Sequence, residues 1–226
     1  MIEYDEKNGG IKMNTILFDL DGTLTDPALG ITNAVSHALK HYGIDEDYQN
    51  LLRFIGPPLV DSFMEYYGFD QEKAQEAVVY YREYFSEKGL FENVVYEGMD
   101  HFLNELKNDG YILAVATSKP EEFAEKILNH FHLSHYFAKI CGATMDSSRS
   151  KKGDVIAYAL KQLNITDLNT AIMIGDRQHD IVGAHQNQLK AIGVLYGYGD
   201  LAEMKEYQAD YIAKDLKELN EIIRAL

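Results

Sequence analysis

Four continuous apolar segments constrain the fold of this chain more than any other feature. Each run is unbroken rather than alternating, which is typical of strands buried on both faces of a parallel sheet. The four runs are Thr15–Phe18, Ile112–Ala116, Ala171–Ile174 and Ala191–Leu195, with Lys139–Ala143 and Ala209–Ile212 as weaker candidates. A chain with these runs is expected to build its core on a parallel sheet.

Amphipathic helical patterns separate these runs. The apolar positions recur at helical spacing within 99–106, 123–131, 155–163 and 216–223. Strands and helices that alternate at this pitch predict a doubly wound α/β fold. The length of 226 residues suits one large domain or a core domain with a smaller insert.

The segment 27–93 interrupts the alternation, because it carries helical stripes and no convincing strand. We therefore predict an α/β core domain made of 14–26 and 94–226, with a small all-helical domain, 27–93, inserted after the first strand. We expect this insert to be a cap above the carboxyl ends of the strands. Residues 1–13 are interpreted as an N-terminal extension whose sequence carries no information about the fold.

The charge balance narrows the possible partners. The chain has 36 acidic and 21 basic residues, giving a net charge of −15, which argues against nucleic acid and anionic membranes as partners. No apolar run approaches the length of a membrane span. The single cysteine, Cys141, cannot form an internal disulfide, so a cytoplasmic location is expected.

Polar side chains follow the predicted strands, at the edge of an open α/β sheet where ligands bind. Carboxylates follow the first and third runs, hydroxyls follow the second, and a lysine precedes a helix in a loop facing the same edge. These residues are Asp19 and Asp21, Thr117 and Ser118, Asp176 and Asp180, and Lys152. Together they predict one site assembled from four separate segments.

This set of residues suits phosphoryl transfer. Clustered carboxylates bind Mg²⁺ together with water and a phosphate group. Asp19 can attack phosphorus to form an aspartyl-phosphate, and Asp21, two residues on, can act as acid and base. Lys152 and the metal would neutralise the transferring group, and Thr117 would hold its oxygens.

Each feature also has a purely structural interpretation. Asp-x-Asp-Gly-Thr is often only a turn, and Thr117–Pro120 can be a plain helix entry. Their joint occurrence after predicted strands favours the functional interpretation. Two other clusters give weaker indications of function. A zinc site is suggested by His130, His132 and His135, but no fourth ligand is evident. A substrate pocket could be lined by Tyr80, Tyr81 and Tyr84, although such tyrosines are more typical of a helical core.

These motifs resemble those of the haloacid dehalogenase superfamily of phosphatases. The matching segments are Asp19–Thr23, Thr117, Lys152 and Gly175–Asp180, and the helical insert is similar to the cap of the phosphoglycolate phosphatase-like branch. The resemblance implies that Asp19 is the nucleophile and Asp21 the acid/base. It also implies that Thr117, Ser118 and Lys152 bind phosphate. Mg²⁺ would be held by Asp19, Asp176 and the backbone carbonyl of Asp21, with Asp180 as an outer-shell or alternative ligand.

The resemblance leaves the substrate open. It implies hydrolysis of a small phosphorylated metabolite, such as phosphoglycolate, a nucleoside monophosphate or a sugar phosphate, by a monomer or homodimer. A hexose phosphomutase of the same superfamily and a phospho-receiver signalling domain are the alternatives. The basic cap residues Arg53, Arg82 and Lys88 are candidates for substrate contacts.

Overall fold

The computed structural model describes residues 4–5, 10–11 and 13–226. The predicted extension, 1–13, lies outside the described residues except for Met13 and two short segments. Those segments, Tyr4–Asp5 and Gly10–Ile11, pair with each other as antiparallel strands.

Ten strands are present in the described part of the chain. In chain order they are β1 Tyr4–Asp5, β2 Gly10–Ile11, β3 Thr15–Phe18, β4 Thr25–Asp26, β5 Val94–Val95, β6 Ile112–Pro120, β7 Lys139–Ala143, β8 Ala171–Gly175, β9 Lys190–Val194 and β10 Tyr211–Ala213. Six of them form one sheet in the order β10-β9-β8-β3-β6-β7. All neighbours in this sheet are parallel.

Ten α-helices accompany the strands within the described residues. They are α1 Ala28–Lys40, α2 Tyr48–Leu51, α3 Leu59–Tyr67, α4 Gln71–Tyr84, α5 Met99–Asn108, α6 Glu121–His130, α7 Lys152–Gln162, α8 Gln178–Gln186, α9 Leu201–Glu206 and α10 Leu216–Ala225. None of them combines the length and hydrophobicity needed to cross a bilayer.

The predicted α/β fold is confirmed, and the six predicted strands form its sheet. The largest difference is at β6, which continues four residues beyond the predicted end to Pro120. Its register to β7 shifts between Ala116 and Pro120, so the polar residues after the apolar run are still in the sheet. Lys152 is also corrected, because it is the first residue of α7 rather than part of the preceding loop.

The central strand β3 shows why its sequence is a continuous apolar run. All four of its residues are buried, and β8 and β6 flank it. Leu17 joins an apolar cluster with residues of α7 and α8, such as Val155 and Ile181. On Phe18 the ring packs edge-on against Phe102 of α5, at 6.3 Å between centroids. Successive residues of one strand thus bury their side chains on opposite faces of the sheet, against different helices.

The structure divides into two compact units. The core unit contains the described residues up to Leu24 together with Tyr96–Leu226, and the insert unit is Thr25–Val95. The insert unit extends two residues beyond the predicted range at each end, because β4 pairs antiparallel with β5. Its helices are α1 to α4, and a π-helical segment, Phe85–Gly89, follows α4.

Candidate active site

Three neighbouring strands of the core unit, β8, β3 and β6, end at the candidate site. Asp19 directly follows β3, Asp176 directly follows β8, and Thr117 lies in the last part of β6. Parallel strands place their carboxyl ends at one edge of the sheet, so residues far apart in sequence converge there. Asp180 lies in the first turn of α8, and Lys152 begins α7.

The carboxylates of Asp19, Asp176 and Asp180 form a buried cluster. One carboxylate oxygen of each residue lies within 4.8 Å of the corresponding oxygens of the other two. None of the three residues is more than 6% exposed to solvent. Lys152, itself 5% exposed, has its Nζ 2.7 Å from Asp19 Oδ1 and 2.8 Å from Asp180 Oδ1. Lys152 also donates a hydrogen bond to the carbonyl of Ala116 in β6. Two of the three carboxylates therefore share one ammonium group, and Asp176 has no ion pair with it.

This imbalance of charge is reflected in the ionisation of the cluster. Burial, reinforced by the charges of Asp180 and Asp19, raises the pKa of Asp176 well above its ordinary value. Burial likewise raises the pKa of Asp180 to about 6, although Lys152 opposes the shift. For Lys152 burial lowers the pKa, but Asp180 and Asp19 outweigh it and raise the pKa overall. A cation in the cluster would relieve this repulsion.

The carboxylate cluster has the type of donor atoms that Mg²⁺ prefers. Its donors are carboxylate oxygens from separate segments, and Mg²⁺ prefers oxygen ligands, commonly one or two carboxylates with waters and phosphate. Asp176 is held in place by the backbone N–H of Tyr198, which donates to its Oδ2 at 2.8 Å. The Asp19 side chain accepts a hydrogen bond from the N–H of Leu20 at 2.7 Å. The residues present thus suit a divalent cation.

Asp21 lies in a different environment from the cluster. Its carboxylate is not in the three-residue group found among the described side chains. Instead Asp21 Oδ2 lies 2.5 Å from Nζ of Lys119, and its Oδ1 is buried with no hydrogen-bond partner in the described residues. Burial raises the pKa of Asp21, while Lys119 acts in the opposite direction. The two aspartates of the Asp-x-Asp segment thus have separate lysine partners.

Lys119 is the residue of the site that sequence reasoning missed. The Thr-Ser-Lys-Pro segment was interpreted only as a possible helix entry, but Lys119 is in β6 and 8% exposed. Its N–H donates to Thr117 Oγ1 at 3.2 Å. The available signal was a lysine two residues beyond Thr117, on the same side of an extended strand. Ser118 is partly exposed at the same edge.

Glycines make room for the cluster. Gly22 has φ +83°, and a Cβ atom on it would lie 2.1 Å from Asp176 Oδ2. At Gly175, a Cβ would lie 2.1 Å from Cγ of Asp180. Neither position has space for a side chain while the carboxylates keep their places. Both positions therefore need glycine for the carboxylates to pack as they do.

The predicted substrate residues lie in the insert unit. Arg53 is exposed, with its guanidinium 4.2 Å from the ring centroid of Tyr66, and Arg82 is partly buried. The Lys88 ammonium is 5.7 Å from the ring centroid of Tyr84. The histidines of the rejected zinc hypothesis, His130, His132 and His135, are not among the three-residue metal-type groups of the described chain.

Most of the chain matches one known protein family. The family described as haloacid dehalogenase-like hydrolase matches residues 16–194, which include the whole candidate site. The chain belongs to this family. The resemblance inferred from the motifs is confirmed, and the chain is a phosphatase of the haloacid dehalogenase type. The receiver-domain alternative is therefore set aside.

Individual relatives are similar over most of the chain. A 5'-nucleotidase of Pseudomonas aeruginosa is 43% identical over 220 residues, covering 97% of this chain and 99% of that protein. The crystal structure of a predicted phosphatase from Clostridium acetobutylicum has a TM-score of 0.93 at 50% identity, covering 95% of this chain and all of that one. The tyrosine-protein kinase PtkA of Mycobacterium tuberculosis is 40% identical over 200 residues. The matched region covers 88% of this chain and 65% of the kinase.

Proposed function

We propose that this phosphatase is a Mg²⁺-dependent hydrolase of small phosphate monoesters that works through a phosphorylated Asp19. The observation that carries the proposal is the buried cluster of Asp19, Asp176 and Asp180 beside Lys152. Bound Mg²⁺ would neutralise these carboxylates and withdraw electron density from the phosphoryl oxygens. A cytoplasmic location is proposed from the single, buried Cys141.

In the first half of the reaction Asp19 acts on the ester. A carboxylate oxygen of Asp19 attacks phosphorus, and the bond between phosphorus and the ester oxygen breaks. Asp21, whose pKa is raised by burial, donates its proton to the leaving oxygen. The ammonium of Lys152, 2.7 Å from Asp19 Oδ1, orients the nucleophile and offsets charge on the phosphoryl group.

In the second half of the reaction the phosphorylated Asp19 is hydrolysed. Asp21, now ionised, accepts a proton from water, and the oxygen of that water attacks phosphorus. The bond between phosphorus and the Asp19 oxygen breaks, releasing phosphate and restoring both carboxyl groups. Thr117 and the backbone around Ser118 hold the phosphoryl oxygens in both halves.

Nucleoside 5'-monophosphates are the proposed substrates. The support is the 5'-nucleotidase relative, which is 43% identical over almost the whole of both chains. Phosphoglycolate is less favoured, because the two similar structures described as phosphoglycolate phosphatases are under 25% identical and support only the fold. We propose that the insert unit selects the substrate, with Arg53, Arg82 and Lys88 as candidate contacts. We propose that the chain is a monomer or a homodimer.

A second candidate function is phosphoryl transfer to a tyrosine. The relative PtkA, 40% identical over 88% of this chain, favours it. The same Asp19 would carry the phosphoryl group, and a phenol oxygen would replace water as its acceptor. A phosphomutase would likewise replace water, with a sugar hydroxyl. The three functions therefore differ in the acceptor of the phosphoryl group, which is water in a hydrolase, a tyrosine in a kinase and a sugar hydroxyl in a mutase.

Phosphate release and product analysis test these proposals together. The assay compares nucleoside 5'-monophosphates, phosphoglycolate and hexose phosphates with Mg²⁺ or EDTA, and ATP with a tyrosine-containing peptide. We expect free phosphate from a nucleoside monophosphate, loss of turnover with EDTA, and near-inactive Asp19→Asn and Asp21→Asn variants. The exposed-aspartate control Asp45→Asn should match the wild type. Robust hydrolysis by Asp19→Asn would rule out the mechanism, and a phosphorylated peptide or isomerised sugar phosphate would replace the hydrolase proposal.

A further inference from the structure

Three side chains of the insert unit form a cluster that the phosphatase chemistry does not use. His37 and His41 are four residues apart, and His41 directly follows α1, so both project from one face of the helix. Glu83 lies on α4, which packs against α1. The cluster joins two helices that are adjacent in space but have thirty residues, 41–70, between them in sequence.

The ligand-forming atoms of this cluster have the spacing of a metal site. One such atom from each of the three residues lies within 4.8 Å of the others. His37 Nε2 is 3.6 Å from Glu83 Oε2, which is too long for a hydrogen bond. Two ligands of tetrahedral Zn²⁺ at normal bond lengths are separated by about 3.3 Å. Small side-chain movements would therefore bring both atoms onto one ion.

His37 Nε2 is also a polar atom in need of a partner. It is buried and makes no hydrogen bond within the described residues. A buried nitrogen without a partner is unfavourable, and coordination to a metal would satisfy its lone pair. The nearest carboxylate, Glu83, would be a second ligand of the same ion.

The remaining ring is held by aromatic packing. His41 stacks on Tyr80 of α4, with 3.8 Å between centroids and 5° between planes. The rings of His37 and His41 are 5.2 Å apart at 72°, so they are not stacked on each other. Restricting one ring in this way lowers the entropy lost when it binds an ion. The net charge of −15 also favours cations at the surface.

We propose that His37, His41 and Glu83 bind a divalent transition-metal ion of the Zn²⁺ type, which ties α1 to α4. Two imidazoles and one carboxylate suit Zn²⁺, Ni²⁺ or Cu²⁺, whereas an all-oxygen site suits Mg²⁺. His41 and Glu83 are exposed to solvent, from which water could supply a further ligand. This site is separate in chemistry from the carboxylate cluster of the core unit, and it does not depend on the proposed substrate.

Calorimetric titration of Zn²⁺ into the full chain tests this site, with Mg²⁺ in excess to occupy the carboxylate cluster. The variants are His41→Ala and Glu83→Gln. The matched control is His101→Ala, which removes a histidine 3.5 Å from Glu105 at the same four-residue spacing on α5. We expect one Zn²⁺ per chain for wild type and control, and binding weakened by more than about tenfold in both variants. Thermal melting without metal confirms that each variant folds.

Two results would overturn the site. Equal Zn²⁺ binding by the wild type and by both variants would place the ion elsewhere, for instance on Asp19, Asp176 and Asp180. No binding by the wild type would show that His37, His41 and Glu83 lie close together without forming a metal site. A spectroscopic measurement needs no variant. Cu²⁺ bound to the wild type should show electron-spin coupling to two imidazole nitrogens, and a spectrum without nitrogen coupling would contradict the assignment.

Discussion

Two lysines of the site contact different aspartates. Lys152 contacts Asp19 and Asp180, and Lys119 contacts Asp21. Asp19 and Asp21 are only two residues apart, yet their carboxylates face different cations. Distinct environments of this kind allow two similar residues to take different roles, here nucleophile and acid/base in the proposed mechanism.

Lys119→Met should change the pH dependence of hydrolysis. The ammonium of Lys119 lowers the pKa of Asp21 against the larger effect of burial, so its removal should raise that pKa further. Because the second half of the reaction needs ionised Asp21, the acidic limb of the kcat profile should move to higher pH. At pH 6 we expect kcat to fall about tenfold or more. Lys119→Arg, which keeps the charge, should retain most of the wild-type profile, and an unshifted profile for Lys119→Met would contradict this role.

At the scale of elements, apolar runs predict the strands well because burial on both faces leaves a local signal. β3 and β7 have the predicted bounds, and β8 differs by one residue. The end of β6 was missed because Thr117-Ser118-Lys119 is polar and resembles a loop. The β4–β5 ladder was missed because each strand has two residues and they pair across the whole insert. Such long-range pairing has no local pattern.

The candidate site follows the same rule. Its strand-end residues, Asp19, Thr117 and Asp176, could be predicted from their position after apolar runs. The contact between Lys119 and Asp21 joins residues 98 apart, and no spacing in the sequence indicates it. The close approach of Gly22 to Asp176 also depends on tertiary packing.

Gly22→Ala should damage the site through the turn that follows β3. The new Cβ would meet Asp176 Oδ2 at 2.1 Å, and φ is +83°. We expect unfolding free energy to fall by about 1–3 kcal/mol and activity to fall sharply as Asp176 is displaced. Gly110→Ala is the control, because its φ is +90° and nothing lies within 4 Å of its Cβ position. Urea unfolding and phosphate release should show lost stability in both variants, and full activity in Gly22→Ala would contradict the account.

For the whole molecule, the excess of buried negative charge should couple metal binding to stability. The pKa of Asp180 rises from an ordinary value of 3.8 to about 6, and that of Asp176 is also raised, chiefly by burial. In the metal-free protein the folded state retains protons that the unfolded state loses. The contribution of Asp180 to stability is therefore lost as pH rises from 3.8 to about 6. Above that range, a bound cation can replace the protons.

Mg²⁺ should therefore stabilise the chain more at pH 7.5 than at pH 5. At saturating Mg²⁺ and pH 7.5 the melting temperature should rise by roughly 5–10 °C. At pH 5 the rise should be smaller, since Mg²⁺ must displace protons from Asp176 and Asp180. Scanning calorimetry at constant ionic strength measures the effect, with Asp176→Asn as the control that should lose most of it. An equal rise at both pH values would contradict the coupling.

The phosphoryl group on Asp19 is the most direct test of the account. The Asp21→Asn variant should form this intermediate from an aryl phosphate, whose leaving group needs no proton from Asp21, and should hydrolyse it slowly because the proposed base is absent. After mixing with p-nitrophenyl phosphate and Mg²⁺, acid quench and borohydride reduction should convert the phosphorylated aspartate to homoserine. Peptide mass spectrometry should find that change at residue 19, and Asp19→Asn should show none. Modification of a different residue, or phosphate release from wild type and Asp19→Asn at the same rate without modification, would contradict Asp19 as the nucleophile.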